Sequence, residues 1–403
     1  MTLLSLLACR ALSAENVIFE TIEQVNLNGF IDTRGGMRLQ NDKEQKGTSV
    51  MEIRLQLDAE LQCDWYDLKY KVDLTADAVT EDAGYKTREL YWFSRPSEYI
   101  DFKVGRQIIT WGTGEWVFLN DLFPKDWQSF FIGRDKEYLK YPSDALKLSL
   151  FSTFCNLDIV YTPRFNPDND ITGEYISENK DSDDRTVEQP DDWFSDDETA
   201  IRVHKIVKGY ELALYGYHGF WKMPRETEEG LYKFSSLNVY GGSIRGPAYG
   251  GIANLEFAYY DSTEDRDGSD SFIPNSELRY LAGYMFDPAQ DFSISIQYYI
   301  KRMLQFSEYR SNNEQASSSE RTRQLLTVTF TRLMMNQNLE LLIPFIYSPD
   351  DGDIYIRPVI NYKYTDNISF EFGANIFAGH KHNGYFHDLS DNTSVYLALK
   401  YFF

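Results

Sequence analysis

Apolar and polar residues alternate strictly in run after run of this chain. In the last ten residues Val395, Leu397, Leu399, Tyr401 and Phe403 interleave with Ser394, Tyr396, Ala398, Lys400 and Phe402. Earlier, Met51, Ile53, Leu55, Leu57, Ala59 and Leu61 alternate with Glu52, Arg54, Gln56, Asp58, Glu60 and Gln62. Tyr66, Leu68, Tyr70, Val72 and Leu74 alternate in turn with Asp67, Lys69, Lys71, Asp73 and Thr75. A period of two marks a β-strand with two unlike faces. Here one face is apolar throughout and the other is charged at nearly every position, which suits no soluble sheet. Lipid on one side and water on the other satisfy both faces. Runs of roughly ten residues also match the length a tilted strand needs to cross the hydrocarbon core.

The same pattern returns at 292–301, 354–363 and 368–376. Extended over the whole chain it predicts about 18 strands, within a range of 16–18: 24–40, 48–62, 65–79, 86–95, 99–110, 144–153, 156–164, 198–207, 210–221, 232–245, 249–261, 277–286, 291–305, 321–335, 338–347, 353–364, 367–379 and 392–403. Connectors after even-numbered strands are short, such as Cys63-Asp64, Lys208-Gly209, Asn336-Gln337 and Thr365-Asp366, whereas those after odd-numbered strands are mostly longer and more polar. Short turns at one rim and long external loops at the other are the signature of a barrel in an outer membrane. The predicted fold class is therefore all-β, a transmembrane antiparallel β-barrel of about 18 strands.

Two loops interrupt this regularity. The third external loop, 111–143, is rich in large apolar residues, among them Trp116, Phe118, Leu119, Phe123, Trp127, Phe130 and Phe131. So much apolar surface does not stay in water, and the expectation is a loop folded inward as a constriction. The other loop, 163–199, carries thirteen acidic residues from Asp168 to Glu198 and reads as a solvated external loop. An alternative is a vestibule that gathers cations or bridges divalent ions to lipopolysaccharide.

Composition narrows the picture further. The 403 residues carry a net charge of −22 and 29 tyrosines, with no window of some 18 uncharged apolar residues that could form a membrane helix. The acidic balance argues against a nucleic-acid partner, whose phosphates would be repelled. The opening MTLLSLLACRALSAEN reads as the end of a secretory signal, residues 1–14, cleaved after Ala14. Leu6-Leu7-Ala8-Cys9 also resembles a lipoprotein box. Residues 15–403 then form one barrel domain, with too few residues before the first strand for a plug. Cys63 and Cys155 fall in turns about four strands apart, too far for a disulfide, and should be free.

The aromatic closing strand that ends on Phe403 resembles the last strand of Gram-negative outer-membrane barrels, which implies recognition by the barrel-assembly machinery. Val104-Gly105-Arg106-Gln107, followed by Trp111-Gly112, resembles a porin-like group of these barrels that joins Gly-Arg-Gln to a Trp-Gly turn and an inward loop. The segment 120–126, NDLFPKD, is similar to their Asn-Pro-x-Asp stretch, with the Pro displaced from the Asn. Ser143 to Leu148 is similar to a strand start in alginate-export-type porins. The local match covers 104–150 and implies a passive channel.

Alternation places Arg106 on the lipid face with Phe102 and Val104. A bulge at Gly105 would turn it inward, where it could hold the loop through Asp121 or Asp126. The expected pore and constriction residues are Arg106, Gln107, Trp111, Asp121, Lys125, Asp126, Arg134 and Lys136. The lumen face carries Arg34, Arg54, Lys69, Lys71, Lys103, Arg357, Lys363 and Lys400 against Asp32, Glu52, Asp58, Glu60, Asp73 and Glu371. This mixture of signs names neither cation nor anion as the cargo. His380, His382 and His387 near Asp388 have spacings that a borderline metal can use. As incidental loop histidines they need no metal, and no cofactor is expected. The leading reading is an outer-membrane porin for small hydrophilic solutes, surrounded by lipid and lipopolysaccharide, with a homotrimer as a possible assembly. A gated polymer exporter is the alternative. An outer-membrane enzyme is disfavoured because no nucleophile motif accompanies the few histidines.

Overall fold

The structure, a computed structural model, describes residues 25–40, 46–171, 173–177, 186–312, 320–379 and 384–403. The signal-peptide reading, His380 and His382 lie outside the described residues.

Eighteen strands follow one another around a closed antiparallel sheet. They are β1 (Val25–Arg38), β2 (Thr48–Gln62), β3 (Tyr66–Asp77), β4 (Asp82–Ser97), β5 (Ile100–Gln107), β6 (Ser143–Leu150), β7 (Asn156–Thr162), β8 (Glu198–Val207) and β9 (Tyr210–Phe220). The second half comprises β10 (Ser236–Ala248), β11 (Gly251–Ser262), β12 (Glu277–Ala289), β13 (Phe292–Met303), β14 (Thr322–Met334), β15 (Leu339–Ser348), β16 (Asp353–Ile356 continued by Val359–Lys363), β17 (Ile368–Ala378) and β18 (Ser394–Phe402). Strand β16 is interrupted at Pro358, which has no N–H for the ladder, yet both halves pair with β15 and β17. A minor sheet of Val187–Glu188, Arg225–Glu226 and Tyr232–Lys233 lies among the long loops.

The terminal strands close the ring, in register from Phe30↔Phe402 to Arg38↔Ser394. Gly29 and Phe403 exchange both backbone hydrogen bonds at 3.0 Å. A Cβ on Gly29 would stand 2.7 Å from the Phe403 ring, so the glycine is what lets the final aromatic lie flat on β1. Short turns follow the even-numbered strands, as the connector lengths predict. The Lys208-Gly209 and Tyr249-Gly250 turns have φ of 52° and 85°, and 48° and 82°. That pair of left-handed residues is what a two-residue hairpin needs to match strand twist. Strand β4 begins four residues earlier than the alternation suggests, because Glu81 at φ 59° makes the preceding turn tight. Cys63 and Cys155 are free.

Burial is inverted relative to a soluble protein. Outward Ile53, Leu90 and Leu397 are 55%, 55% and 57% exposed, while inward Arg34 and Glu52 are 1% and 2% exposed. Aliphatic residues form the outer band and ionic residues line the inside.

Candidate functional site

The segment between β5 and β6 occupies the interior. A short helix, α1 (Trp127–Phe131), begins where the Asp126 carboxylate accepts from the Ser129 N–H at 2.8 Å, and one 3-10 turn follows at Lys136–Leu139. The wall grips this segment from many sides. Arg34 of β1 donates to the Gly133 carbonyl, and Glu52 of β2 accepts from Arg134 at 2.6 Å. Arg88 of β4 donates to the Glu137 and Lys140 carbonyls, both at 3.2 Å. On the other side Glu256 of β11 accepts from Thr113 and, at 2.7 Å, from the Asn120 amide. Gln297 of β13 accepts from the Glu115 N–H at 2.9 Å, and Thr329 of β14 from the Trp116 indole at 2.8 Å. Arg357 of β16 donates to the Phe130 and Arg134 carbonyls, and Lys400 of β18 pairs with Asp135. One segment can touch β1, β2, β4, β11, β13, β14, β16 and β18 of a closed sheet only by crossing its interior.

The sequence-nominated residues divide into those at this crossing and those away from it. Lys125 donates to Asp121 at 3.0 Å, and Lys140 reaches the second oxygen of the same carboxylate at 2.6 Å. Burial alone would raise the Asp121 pKa, but the two lysines overcome it and hold the carboxyl below its usual range. Lys140 is itself lowered, since burial and the neighbouring Lys125 and Lys136 outweigh its one carboxylate. Lys136 pairs with Glu115 at 3.2 Å and lies over the Trp116 ring, tying the two arms of the segment together. Asp126 also sits 3.8 Å from Lys86. Gln107 is buried and donates to the Ala145 carbonyl at 2.8 Å, across the base of the segment.

The nominated lumen charges are nearly all occupied. Arg54 is held by Glu52 and Asp73 and lies 4.1 Å from the centre of the Tyr138 ring. Lys69 is held by Asp58 and Glu60 at 2.5 and 3.2 Å, and Lys71 stands 3.8 Å from Glu137. Lys103 rests over the Tyr91 ring at 3.5 Å. Lys363 departs from the set: it pairs with Asp366 near the short-turn rim and is half-exposed. Beneath the crossing segment lies a cavity of about 500 Å³ lined by Asp135, Glu340, Lys363, Glu371 and Lys400.

Arg106 requires a correction. The register runs without a shift through Val104, Gly105 and Arg106 against β4, so there is no bulge and the side chain stays outward. Gly105 does have φ 121°, but its role is close approach: a Cβ there would lie 2.3 Å from the Leu90 carbonyl oxygen. Arg106 forms a two-point ion pair with Asp144 of β6, at 2.8 and 2.7 Å, on the outer surface at the end of β5. Its charge is tolerated there because it is paired and near the rim, where the lipid-facing penalty is small. Arg106→Gln should therefore alter stability by less than about 1 kcal/mol, checked by urea titration.

The interior is not uniformly wet. Across β6 to β12 the inward positions include Ala145, Val160, Ala200, Ala213, Leu237, Val239, Ala258 and Leu281, all buried. Ile109, Trp111, Leu119 and Phe123 pack onto this surface, with the Trp111 and Phe123 rings 5.0 Å apart and Tyr215 behind them. The acidic loop is also not simply solvated. In its described first half Phe165, Ile171, Tyr175 and Ile176 are buried, the last three against Trp116, Phe130 and Phe131. Phe386 and Leu389, from the loop after β17, complete that apolar cover. His387 reaches the Gly379 carbonyl at 3.2 Å, and among the described residues no group of metal-ligating side chains assembles.

Sequence reasoning passed over Glu256, Gln297, Thr329 and Arg88, the wall residues that bond the segment. The available signal was a polar side chain on the inward face opposite otherwise small or apolar neighbours, as in 251–258, GIANLEFA.

Comparison with known proteins gives fold and nothing finer. No family model matches the chain, and no curated protein matches it. Among solved structures it is similar to Acinetobacter baumannii OccAB3, with TM-score 0.58, 9% identity, and coverage of 94% of this chain and 99% of that one. Acinetobacter baumannii OccAB1 gives 0.57, 8%, 94% and 97%. Pseudomonas aeruginosa OccD3 (OpdP) gives 0.54, 11%, 94% and 91%.

Proposed function

We propose that the chain is an outer-membrane channel for passive diffusion of small hydrophilic solutes or ions. The observation that carries this is a closed barrel with an aliphatic outer band, an interior that carries many ionic residues, and the 111–143 segment bonded across that interior. An 18-stranded barrel is wide enough for an aqueous lumen. The crossing segment, with Asp121, Lys125, Asp126, Arg134 and Lys136 in paired positions, then sets the bore. Trp111 and Gln107 anchor its base, and Arg106 drops out of the permeation path. Wall contacts on so many strands leave little room for a polymer, so monomeric solutes fit better than the polysaccharide that the alginate-export-type resemblance brings to mind. The same reading puts phospholipid and lipopolysaccharide against the outer band and makes Phe403 the contact for the assembly machinery.

The test is single-channel recording in a planar bilayer, with the reversal potential taken in a salt gradient. Discrete open steps are expected, with weak selectivity, because most lumen charges already carry a partner. A folded barrel that inserts and never conducts would refute the channel.

A further inference from the structure

We propose that residues 165–171 and 173–177 of the loop between β7 and β8 are a strap latched over the crossing segment, and that release of this strap opens the long-loop mouth. The proposal rests on the channel reading above. It concerns which of two layers moves.

The strap is sewn to the segment beneath it by a two-residue bridge, Asp126↔Asn169. Asn169 N–H donates to the Lys125 carbonyl at 2.8 Å, and Trp127 N–H donates to the Asn169 carbonyl at 3.0 Å. The Asp168 carboxylate accepts from the Lys125 N–H at 2.9 Å and from the Trp127 indole at 2.8 Å. The Asn169 amide donates to Asp126, the cap of α1, at 2.8 Å. Asp168 N–H is tied in turn to the Lys222 carbonyl at 3.1 Å, beyond the end of β9.

The far end of the strap is fastened on the other side of the mouth. The Tyr175 hydroxyl donates to Asp77, at the end of β3, at 2.6 Å, and Arg38 of β1 donates to the Tyr175 carbonyl. Ser177 and Asn392 exchange bonds at 3.0 and 2.8 Å, reaching the loop before β18. A chain that starts at β7 and is pinned beside β1, β3 and β18 spans the opening. Its apolar side chains, Ile171, Tyr175 and Ile176, meet Phe130, Phe131 and Phe386 and close the gap between the loops.

The two layers are held by different forces. Buried ion pairs to the wall fix the crossing segment, through Arg34, Glu52 and Lys400. Hydrogen bonds with one charged partner, through Asp168, Asp126, Asp77 and Arg38, and apolar contacts fix the strap. Breaking a buried ion pair costs more than breaking a hydrogen bond with one charged partner, so the strap is the layer that opens first. Moving lids are drawn from such low-stability elements.

A disulfide across the bridge tests this directly, because bridged Cα atoms are within disulfide reach. The intact chain would carry Asp126→Cys and Asn169→Cys on a Cys63→Ser, Cys155→Ser background. Cross-linking would be confirmed by mass spectrometry, and channels recorded oxidised and then with dithiothreitol. The expected result is loss of full open steps when oxidised and their return on reduction. Equal conduction in both states, with the cross-link complete, would overturn the latch while leaving the channel reading intact. Absence of steps from both the reduced and the unmodified protein would overturn the channel reading and the latch with it. If the cysteine pair does not fold, Asp168→Ala and Tyr175→Phe serve instead. Both should raise the open fraction severalfold, and an open fraction unchanged in both would equally reject the latch.

Discussion

Deleting residues 114–139 and joining Thr113 to Lys140 through a short Gly/Ser linker is expected to raise single-channel conductance severalfold in a barrel that still folds. The sheet closes through its own ladder, from the β1–β2 register to the β1–β18 register, and none of those bonds involves the deleted residues. The wall side chains that the segment now covers, among them Glu52, Arg54 and Arg88, pair with one another or meet water once it is gone. They would line a wet bore of the kind an 18-stranded barrel can hold. Folding would be read from heat-modifiable gel mobility and conductance from bilayer steps. A folded deletion variant with unchanged conductance would mean that the segment does not limit permeation, and the proposed role of Lys125, Arg134 and Lys136 would fall with it. A rise would leave open only how the remaining loops share the resistance. The strap would lose its bridge to Asp126 and Asn169's other partners in this variant, so the deletion reports the combined effect of both layers. The disulfide separates them.

How much of this was legible in the chain follows from which contacts are local. Strand count, the alternation of short and long connectors and the inside-out polarity come from patterns over adjacent residues and are found as read. Individual turns shift by a few residues, as at Tyr249-Gly250, where the sequence reading places the turn at Gly246-Pro247. The arrangement of the interior depends on residues far apart in sequence, such as Trp116 with Thr329 or Arg34 with Gly133, separated by 213 and 99 positions. No periodicity encodes those. Arg106 misled because a charge on a lipid face invites a bulge, whereas a cross-strand Asp144 neutralises it in place. The acidic loop misled because thirteen carboxylates dominate its composition. Four buried apolar side chains, Phe165, Ile171, Tyr175 and Ile176, decide where its first half goes. In both cases a few specific partners outweigh an average property.

Removing Arg34 should have the largest effect of any single substitution on the anchoring of the crossing segment. Its guanidinium holds Glu371 at 2.8 Å, Asp32 at 3.3 Å and Asp135 at 3.4 Å, besides the Gly133 carbonyl. The side chain is 1% exposed, so water cannot replace it without rearrangement. Arg34→Met would leave Asp32, Asp135 and Glu371 without the guanidinium they share, a loss of about 3–5 kcal/mol by the usual cost of orphaning a buried charge. Arg34→Lys keeps the charge without the fork and should recover part of that. Urea titration of the barrel in vesicles reads the stability change, and increased open-channel noise reads the loosened segment. A wild-type urea midpoint for Arg34→Met would refute the anchor. Acid gives an independent check through Asp135, which lies on the segment and not on the wall. Burial pushes its carboxyl up, but Lys400 and Arg34 more than offset this and hold it at about 2. A carboxyl depressed in the folded state contributes stability above its ordinary value of 3.8, and that contribution fades as pH falls towards the folded value. Current noise should therefore stay level from pH 8 to about 4 and climb only below that. Asp135→Asn should remove the acid-dependent climb while leaving the barrel folded, which identifies this one pair as its origin.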